Sequence, residues 1–391
     1  MSRLQISRNG DLRRLREDGY DVDIVNGHLL VRGVPYVTSK REIARGAISA
    51  RALRLEGDKT LSPEDHVVRF IGEFPCDKDG NRISNIGGSE ETVTIAQCLV
   101  ATTLLSSKPA GGYKDYYEMM TRYIEIIENE AKALDKSVTS RQYLPWESEP
   151  EESLFRYIDT STSRAGLTAV NAKLDGERVG IVGIGGAGSY VLDLVAKTGV
   201  QEIHLFDGDH IETHNAFRAP GAISLEDLRT RPNKAVYWRD RYDPLRRSII
   251  AHNVFVTEEN AHELADLTFV FICVDSGSSR RMLVQKLTEF DKDFVDVGMG
   301  LGRSDSESVY GQVRTTGSLP NMRDHFDRHV DFSDARDDVY ATNIQICDLN
   351  CLNATFAVIK WKKIRGFYAD FVHELNSVYM VEGNVVSNDK E

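Results

Sequence analysis

No stretch of this chain approaches the run of about 18 uninterrupted apolar residues that a membrane-spanning helix needs, so no membrane span is expected. The N-terminus, "MSRLQISRNGDLRRLRED", lacks the apolar core of a secretion signal. Cysteine is scarce. The five residues, Cys76, Cys98, Cys273, Cys347 and Cys351, are scattered and odd in number, which is no disulfide framework. A cytoplasmic protein with reduced thiols is the expectation. Basic charge is also short: Lys and Arg number 48 against 60 Asp and Glu, a net charge of -12. Phosphate backbones are bound by clustered Lys and Arg, so no nucleic-acid partner is expected. Internal repeats and low-complexity tracts are absent too. What remains is a chain of 391 residues, 41% hydrophobic and 28% charged, with the composition of a globular protein and length for two or three domains.

The first part reads as a small α+β domain, residues 1–145. "YDVDIVNGHLLVRGVPYV" alternates apolar and polar residues around Asn26-Gly27, a two-residue hairpin signal. "DHVVRFIGEFPCDKDGNRI" predicts another strand, ending at a turn near Asp79-Gly80. From Tyr113 to Leu134 the period becomes helical, with Met120, Tyr123, Ile124, Ile127, Ala131 and Leu134 on one face. A Pro- and Glu-rich stretch, "LPWESEPEES", marks a linker, placed at 146–160. Residues 161–391 then alternate strands with helices. "ERVGIVGIG", "EIHLFDGD", "DLTFVFICVD" and "DFVDVGMG" are continuous apolar strands of the kind a sheet covered on both faces requires. Val309–Thr316 is a weaker strand candidate, "NIQICDLNCLNATFAVIKWKKIRGFY" a helix ending at Gly366, and "SVYMVEGNVVSN" a hairpin. The fold class is α/β, a Rossmann-like doubly wound sheet with its chemistry at the carboxyl ends of the strands.

Between the first strand and its helix stands "GIGGAG", with Gly183, Gly185, Gly186 and Gly188. Such a turn exposes N–H groups and the positive end of a helix dipole to an anionic phosphate. Asp207 closes the second strand about twenty residues later, where a carboxylate can accept ribose hydroxyls. That much suits NAD equally well. The residues that follow do not: Asp209, Asn215, Arg218 and Lys234, then Asp275 at a strand end with Arg280 beyond it. Hydride transfer has no use for two cations and a further carboxylate beside the phosphates. Phosphoryl or nucleotidyl transfer needs cations on the phosphates and a carboxylate for Mg²⁺.

Together "GIGGAG", "FDGDHIETHNAFR", "NKA" and "FICVDSGSSRR" resemble the adenylation domain of the ubiquitin-activating-enzyme superfamily, the ThiF/MoeB fold. The resemblance runs from about Ser161 to the C-terminus and matches the family's elements in order. It implies that Asp207 binds the ATP ribose, that Asn215, Arg218 and Lys234 contact the phosphates, and that Asp275 holds Mg²⁺. "TSTSRAG" resembles the segment from which the family sends an arginine into a neighbouring subunit's site, which makes Arg164 a candidate and a homodimer the expected assembly. The implied cofactors are ATP and Mg²⁺. The implied partner is a ubiquitin-like protein with a C-terminal Gly, with a conjugating-enzyme-like protein as a further candidate. "VPYV", "GYKDYYEMMTRY" and "NAFRAPGA" resemble bacterial proteins that carry an uncharacterised domain before the adenylation domain and are linked to ubiquitin-like operons.

The chain also departs from the family. Members with structural zinc carry two Cys-x-x-Cys pairs; none occurs here, so no structural zinc is expected. Thioester-forming members place a cysteine in the loop before the late helix, and here "GSLPNMRDHFDRHVDFSDARDDVYATN" has none. Cys347 and Cys351, spaced i, i+4, share one face of that helix and read as packing. Adenylation of the C-terminal carboxylate of a ubiquitin-like protein is therefore the favoured function. Adenylation of another acid, an NAD-dependent oxidoreductase and a non-catalytic adaptor binding a ubiquitin-like protein stay open at this point.

Overall fold

The computed structural model describes residues 2–57, 59–97, 99–147, 153–333 and 344–389. It separates into two compact units, Met1–Trp146 and Glu147–Glu391. Among the described residues no helix is long and apolar enough to cross a membrane.

The first unit opens with α1 (Ser2–Arg8) and α2 (Gly10–Glu17), which the sequence reading does not anticipate. Both are too short for a periodic signal: α2 has two apolar residues, Leu12 and Leu15, which it buries together with Arg16. A six-stranded antiparallel sheet follows, built from β1 (Asp21–Val25), β2 (His28–Val37), β3 (Ile43–Ala50), β6 (Val67–Ile71), β7 (Gly87–Ala96) and β8 (Leu99–Ser106). A small ribbon of β4 (Leu55–Glu56) and β5 (Lys59–Thr60) stands apart from it. Asn26 and Gly27 take positive φ, 48° and 79°, and let Val25 pair with His28, the hairpin expected of an Asn-Gly turn. α3 (Tyr116–Leu134) starts where the Asp115 carboxylate accepts the Glu118 N–H at 2.8 Å. Met120, Tyr123, Ile124, Ile127 and Ala131 form its buried face. Leu134 does not join them; it is the last helical residue, past the packed turns, and is exposed.

In the second unit β9 (Arg178–Val182), β10 (Glu202–Phe206), β11 (Ile249–His252), β12 (Phe269–Ile272) and β13 (Asp293–Arg303) lie parallel in the order β11-β10-β9-β12-β13. The sheet continues antiparallel through β14 (Val309–Ser318), β15 (Asn376–Met380) and β16 (Val385–Asp389). The longer helices are α6 (Gly186–Val195), α9 (Lys234–Tyr242), α10 (Gly277–Glu289) and α12 (Cys347–Ile364). Short ones are α4 (Thr160–Arg164), α5 (Thr168–Asn171), α7 (Thr213–Ala216), α8 (Leu225–Thr230) and α11 (Phe326–His329).

The run "FVFI" of β12 is apolar throughout because both faces of the sheet are covered. Phe269 and Phe271 share a core with Val191 and Leu192 of α6 and Trp361 of α12. Val270 and Ile272 point to the other side, against Leu283 and Leu287 of α10. Each such side chain contributes roughly 2–3 kcal/mol of transfer free energy, so β12 is anchored far more firmly than the loop that leaves it. Strand order reverses between β9 and β12. The loops after these two strands therefore part company, and a crevice opens above the carboxyl ends. The sequence reading starts the late helix near Asn343, which lies outside the described residues, as does 334–342 of the preceding loop; the helix itself begins at Cys347. Gly366, at φ 69°, ends it with its N–H on the Lys363 carbonyl.

Candidate active site

At the switch point β9 ends and Gly183 turns the chain at φ 87°, its N–H on the Phe206 carbonyl at 2.9 Å. Three of the four glycines are demanded by packing. A Cβ on Gly183 would stand 2.7 Å from the Cys273 carbonyl oxygen, across from the end of β12. One on Gly188 would lie 1.9 Å from the Gly183 carbonyl oxygen, and one on Gly186 would lie 2.2 Å from Asn350 Nδ2 of α12. Gly185 is different. Nothing lies within 4 Å of its Cβ position, and it lines the cleft. Here the absent side chain leaves room for something that approaches from outside. The first N–H groups of α6 have no partner within their helix and lie at the same place.

Asp207 stands just past β10 and is buried. Its Oδ2 accepts the Ile184 N–H at 2.7 Å and its Oδ1 the Asp209 N–H at 2.9 Å, so it braces the glycine turn from the neighbouring strand. Burial pushes its pKa above the ordinary carboxylate value, against the pull of Lys234. Each oxygen keeps a lone pair for a ligand hydroxyl. Asp209 is the more exposed of the two and pairs with Lys234 Nζ at 3.0 Å. Asn233 organises this corner: its Nδ2 donates to the carbonyls of Asp207 and Asp209 at 2.8 and 2.9 Å, while its Oδ1 caps α9 through the Val236 N–H. The sequence reading quotes Asn233 inside "NKA" without giving it a role. An Asn before a helical run is an N-cap signal, and that could have identified it.

Asn215 is buried, and its Oδ1 closes a capping box by accepting the Glu212 N–H at 2.9 Å. Its Nδ2 has no partner. Nor has the buried Nε of Arg218. Burial lowers the Arg218 pKa, and the Asp275 carboxylate opposes that shift. Leaving a buried donor unpaired costs about 1–3 kcal/mol, a cost that an incoming anion removes. Of these two residues, Arg218 lines the cleft together with the glycine turn, where its unpaired donor suits a phosphate. Asp275 follows β12, is exposed and lines the cleft. No cluster of three metal-ligating side chains exists among the described residues. Mg²⁺ does not require one, since it is bound through one or two carboxylates together with phosphate oxygens and water. Arg280, noted downstream of Asp275, is engaged elsewhere: it donates to Asp296 Oδ1 at 2.9 Å and to the Val274 carbonyl at 2.5 Å.

Arg164 closes α4, and its side chain lies outside the described residues. Cys347 is the first residue of α12, with its Sγ 2.9 Å from the Tyr190 hydroxyl of α6. Cys273 sits one residue beyond β12, not within it, and burial pushes its thiol pKa up. Two polar residues of α12 escape the sequence reading. Asn350 Nδ2 reaches the Arg218 carbonyl at 3.4 Å, and Asn353 is bonded to the Gly298 carbonyl at 2.9 Å and to Thr315 at 3.0 Å. Two asparagines at i, i+3 within the apolar middle of the helix were the available signal. The whole cleft has a volume of about 1460 Å³ and continues from the glycine turn along β13 and β14. A single small-molecule site occupies roughly 300–1,000 Å³, so this cleft has room for a second reactant.

Residues 162–359 match the family described as "ThiF family", and residues 10–160 match one described as "Domain of unknown function (DUF6791)". No curated protein matches the chain. Among solved structures, E. coli MccB with ATP is 16% identical, with 59% of this chain and 71% of that one covered and a TM-score of 0.46. PaaA is 15% identical, with 56% and 75% covered and a TM-score of 0.43. E. coli tRNA N6-threonylcarbamoyladenosine dehydratase, TcdA, is 17% identical, with 52% and 92% covered and a TM-score of 0.40.

Proposed function

The chain belongs to the ThiF family, and from that premise we propose that it uses ATP to adenylate the C-terminal carboxylate of a ubiquitin-like protein ending in Gly. The observation that carries the reading is the buried, unpartnered donor Arg218 Nε in the cleft that the glycine turn lines, with the unpartnered Asn215 Nδ2 three residues before it in the chain. A nicotinamide site would leave Lys234 and Asp275 in the same cleft without work. In this reading the α6 N-terminus and Gly185 receive the phosphates, Asp207 the ribose, and Asn215, Arg218 and Lys234 the phosphate charge. Asp275 would hold Mg²⁺, which neutralises the leaving pyrophosphate.

The chemistry that the protein must manage is the meeting of two anions. At about 4 Å and an effective dielectric of about 20, each pair of like unit charges repels by roughly 4 kcal/mol. Cations fixed beforehand in the cleft offset that repulsion without reorganising during the reaction. A carboxylate is a poor electrophile, and AMP makes it a good one. The second half of the cleft gives an extended tail room to reach the α-phosphate. The assembly in this reading is a homodimer in which Arg164 reaches the partner subunit's site, and the activated tail passes on to a downstream nucleophile such as a conjugating-enzyme-like protein.

The test is thermal melting with Mg-ATP and with NAD. ATP with Mg²⁺ should raise the melting temperature and NAD should not. Equal stabilisation by NAD would reject the reading.

A further inference from the structure

Adenylation sets a carboxylate against a triphosphate, and each anion needs its own cation. Five Lys and Arg side chains line the cleft among the described residues: Arg218, Lys234, Arg280, Arg303 and Arg314. Lys234 is matched by Asp209. Arg218 feels the charge of Asp275, and its carbonyl accepts Asn350 Nδ2. Arg280 is held by Asp296 and by the carbonyls of Val274 and Asp331. Arg303 is exposed at the far end of β13.

Arg314 shares its carboxylate with Arg280 but, unlike it, makes no bond to a backbone carbonyl among the described residues. Its side chain is 11% exposed, and its carboxylate partner, Asp296, is 0% exposed and shared with Arg280. One buried carboxylate thus serves two guanidinium groups, and only one carboxylate is in direct contact with the pair. A buried charge without a full counter-charge is costly. Asp331, the other carboxylate that feels both arginines, is exposed and bonded to the N–H and hydroxyl of Ser333.

Arg314 pairs across the sheet with Gly298 of β13, and its guanidinium fills the space that a Cβ there would need. That Cβ would stand 2.7 Å from Nη2 and 3.2 Å from Cζ. Its hydrogen bonds, to Asp296 and to Thr316 Oγ1, use two of the five N–H groups of the fork. Arg314 also lines the cleft. Gly300, two residues on, has nothing within 4 Å of its Cβ position.

Resting on the adenylation reading, we propose that Arg314 is the carboxylate-binding residue of the acid subsite, receiving the substrate's free carboxylate on the β13–β14 floor and holding it for attack on the α-phosphate. A carboxylate oxygen forms the new bond to phosphorus. The bond from that phosphorus to the bridging oxygen breaks, and pyrophosphate leaves with the electron pair. No proton moves, and Arg314 keeps its charge throughout. The substrate class is a free acid at the end of an extended chain, admitted over Gly298 and Gly300; the corresponding amide has no charge for Arg314 to hold.

The test is calorimetry on the full chain saturated with Mg²⁺ and α,β-methylene-ATP, titrated with a short synthetic peptide ending in Gly-Gly, as free acid and as C-terminal amide. The wild type should bind the acid at least about tenfold more tightly than the amide, the ratio one charge-assisted hydrogen bond supplies. Arg314→Gln should erase that preference and leave the affinity for the nucleotide analogue unchanged. Gly298→Ala should do the same by displacing the guanidinium with every charge retained, and Arg314→Lys should keep a weakened preference. These two variants keep the test decisive if Arg314→Gln does not fold. An undiminished preference in Arg314→Gln and Gly298→Ala, or a matching loss of analogue binding, overturns the inference. So does a wild type that binds the analogue and takes acid and amide alike, although the nucleotide reading then survives. A wild type that binds no analogue removes the reading itself.

Discussion

Asp207 shows how much of a site lies in contacts that spacing cannot express. As a strand-end carboxylate about twenty residues after the glycines it reads as a ribose acceptor. In the folded chain both of its oxygens already hold backbone N–H groups, of Ile184 and Asp209, so the same residue also sets the shape of the turn. The thiols are a second case at this scale. A nucleophilic cysteine needs exposure and a lowered pKa. Burial raises the thiols of Cys76 and Cys273, and the Cys347 sulfur faces the Tyr190 hydroxyl between two packed helices. Cys98 lies outside the described residues and enters the same experiment. Adenylation should therefore proceed in each single Cys→Ala variant, with no thiol-sensitive adduct on this chain. Gels run with and without reducing agent, after incubation with ATP and the ubiquitin-like partner, check this. A reducible band that vanishes in one variant would sink the expectation and name the cysteine responsible.

At the level of the element, the strand–turn–helix unit from β9 to α6 separates packing from binding within one short turn. Gly188→Ala would force a Cβ to 1.9 Å from a backbone oxygen, which side-chain motion cannot relieve. Overpacking of this kind costs typically about 1–3 kcal/mol, so this variant should melt measurably lower. Gly185→Ala meets nothing in the protein. It should melt within about 0.5 kcal/mol of wild type, as substitutions away from packed features do, yet bind Mg-ATP at least about tenfold more weakly. Paired melts and nucleotide titrations decide the matter. Equal nucleotide affinity in Gly185→Ala and wild type would remove the turn from the phosphate site. The glycine spacing alone cannot distinguish these two roles, because the atoms that crowd Gly183 and Gly186 come from Cys273 and Asn350, far along the chain.

At the scale of the whole molecule, each unit has its own core, and the cleft lies wholly within Glu147–Glu391. The proposed dimer is what would couple two such clefts. Arg164→Ala and Asp275→Ala should each be inactive in pyrophosphate exchange. Mixed in equal amounts, they should recover about a quarter of wild-type activity, because half the dimers are mixed and each mixed dimer has one complete site. An absence of recovery, with subunit exchange verified independently, would place Arg164 in its own subunit's site or in none.

Local and periodic information was legible in the sequence because it is carried by neighbours. The Asn26-Gly27 hairpin, the buried face of α3, the both-face burial of β12 and the glycine turn between β9 and α6 all follow from residues within a few positions of one another. The order of the charged residues was enough to prefer phosphate chemistry to hydride transfer. The tertiary structure alone decided how the charges are paired. Arg280 and Arg314 look alike as arginines of a helix and a strand, yet one is held by two backbone carbonyls and the other lies over a glycine on the cleft floor. Asp296, which both arginines share, is an unremarked carboxylate in a strand until β12, β13 and β14 are laid side by side. Sequence spacing encodes what one element does with its own residues; the balance of buried charge depends on which elements meet, and that is settled by packing across the whole sheet.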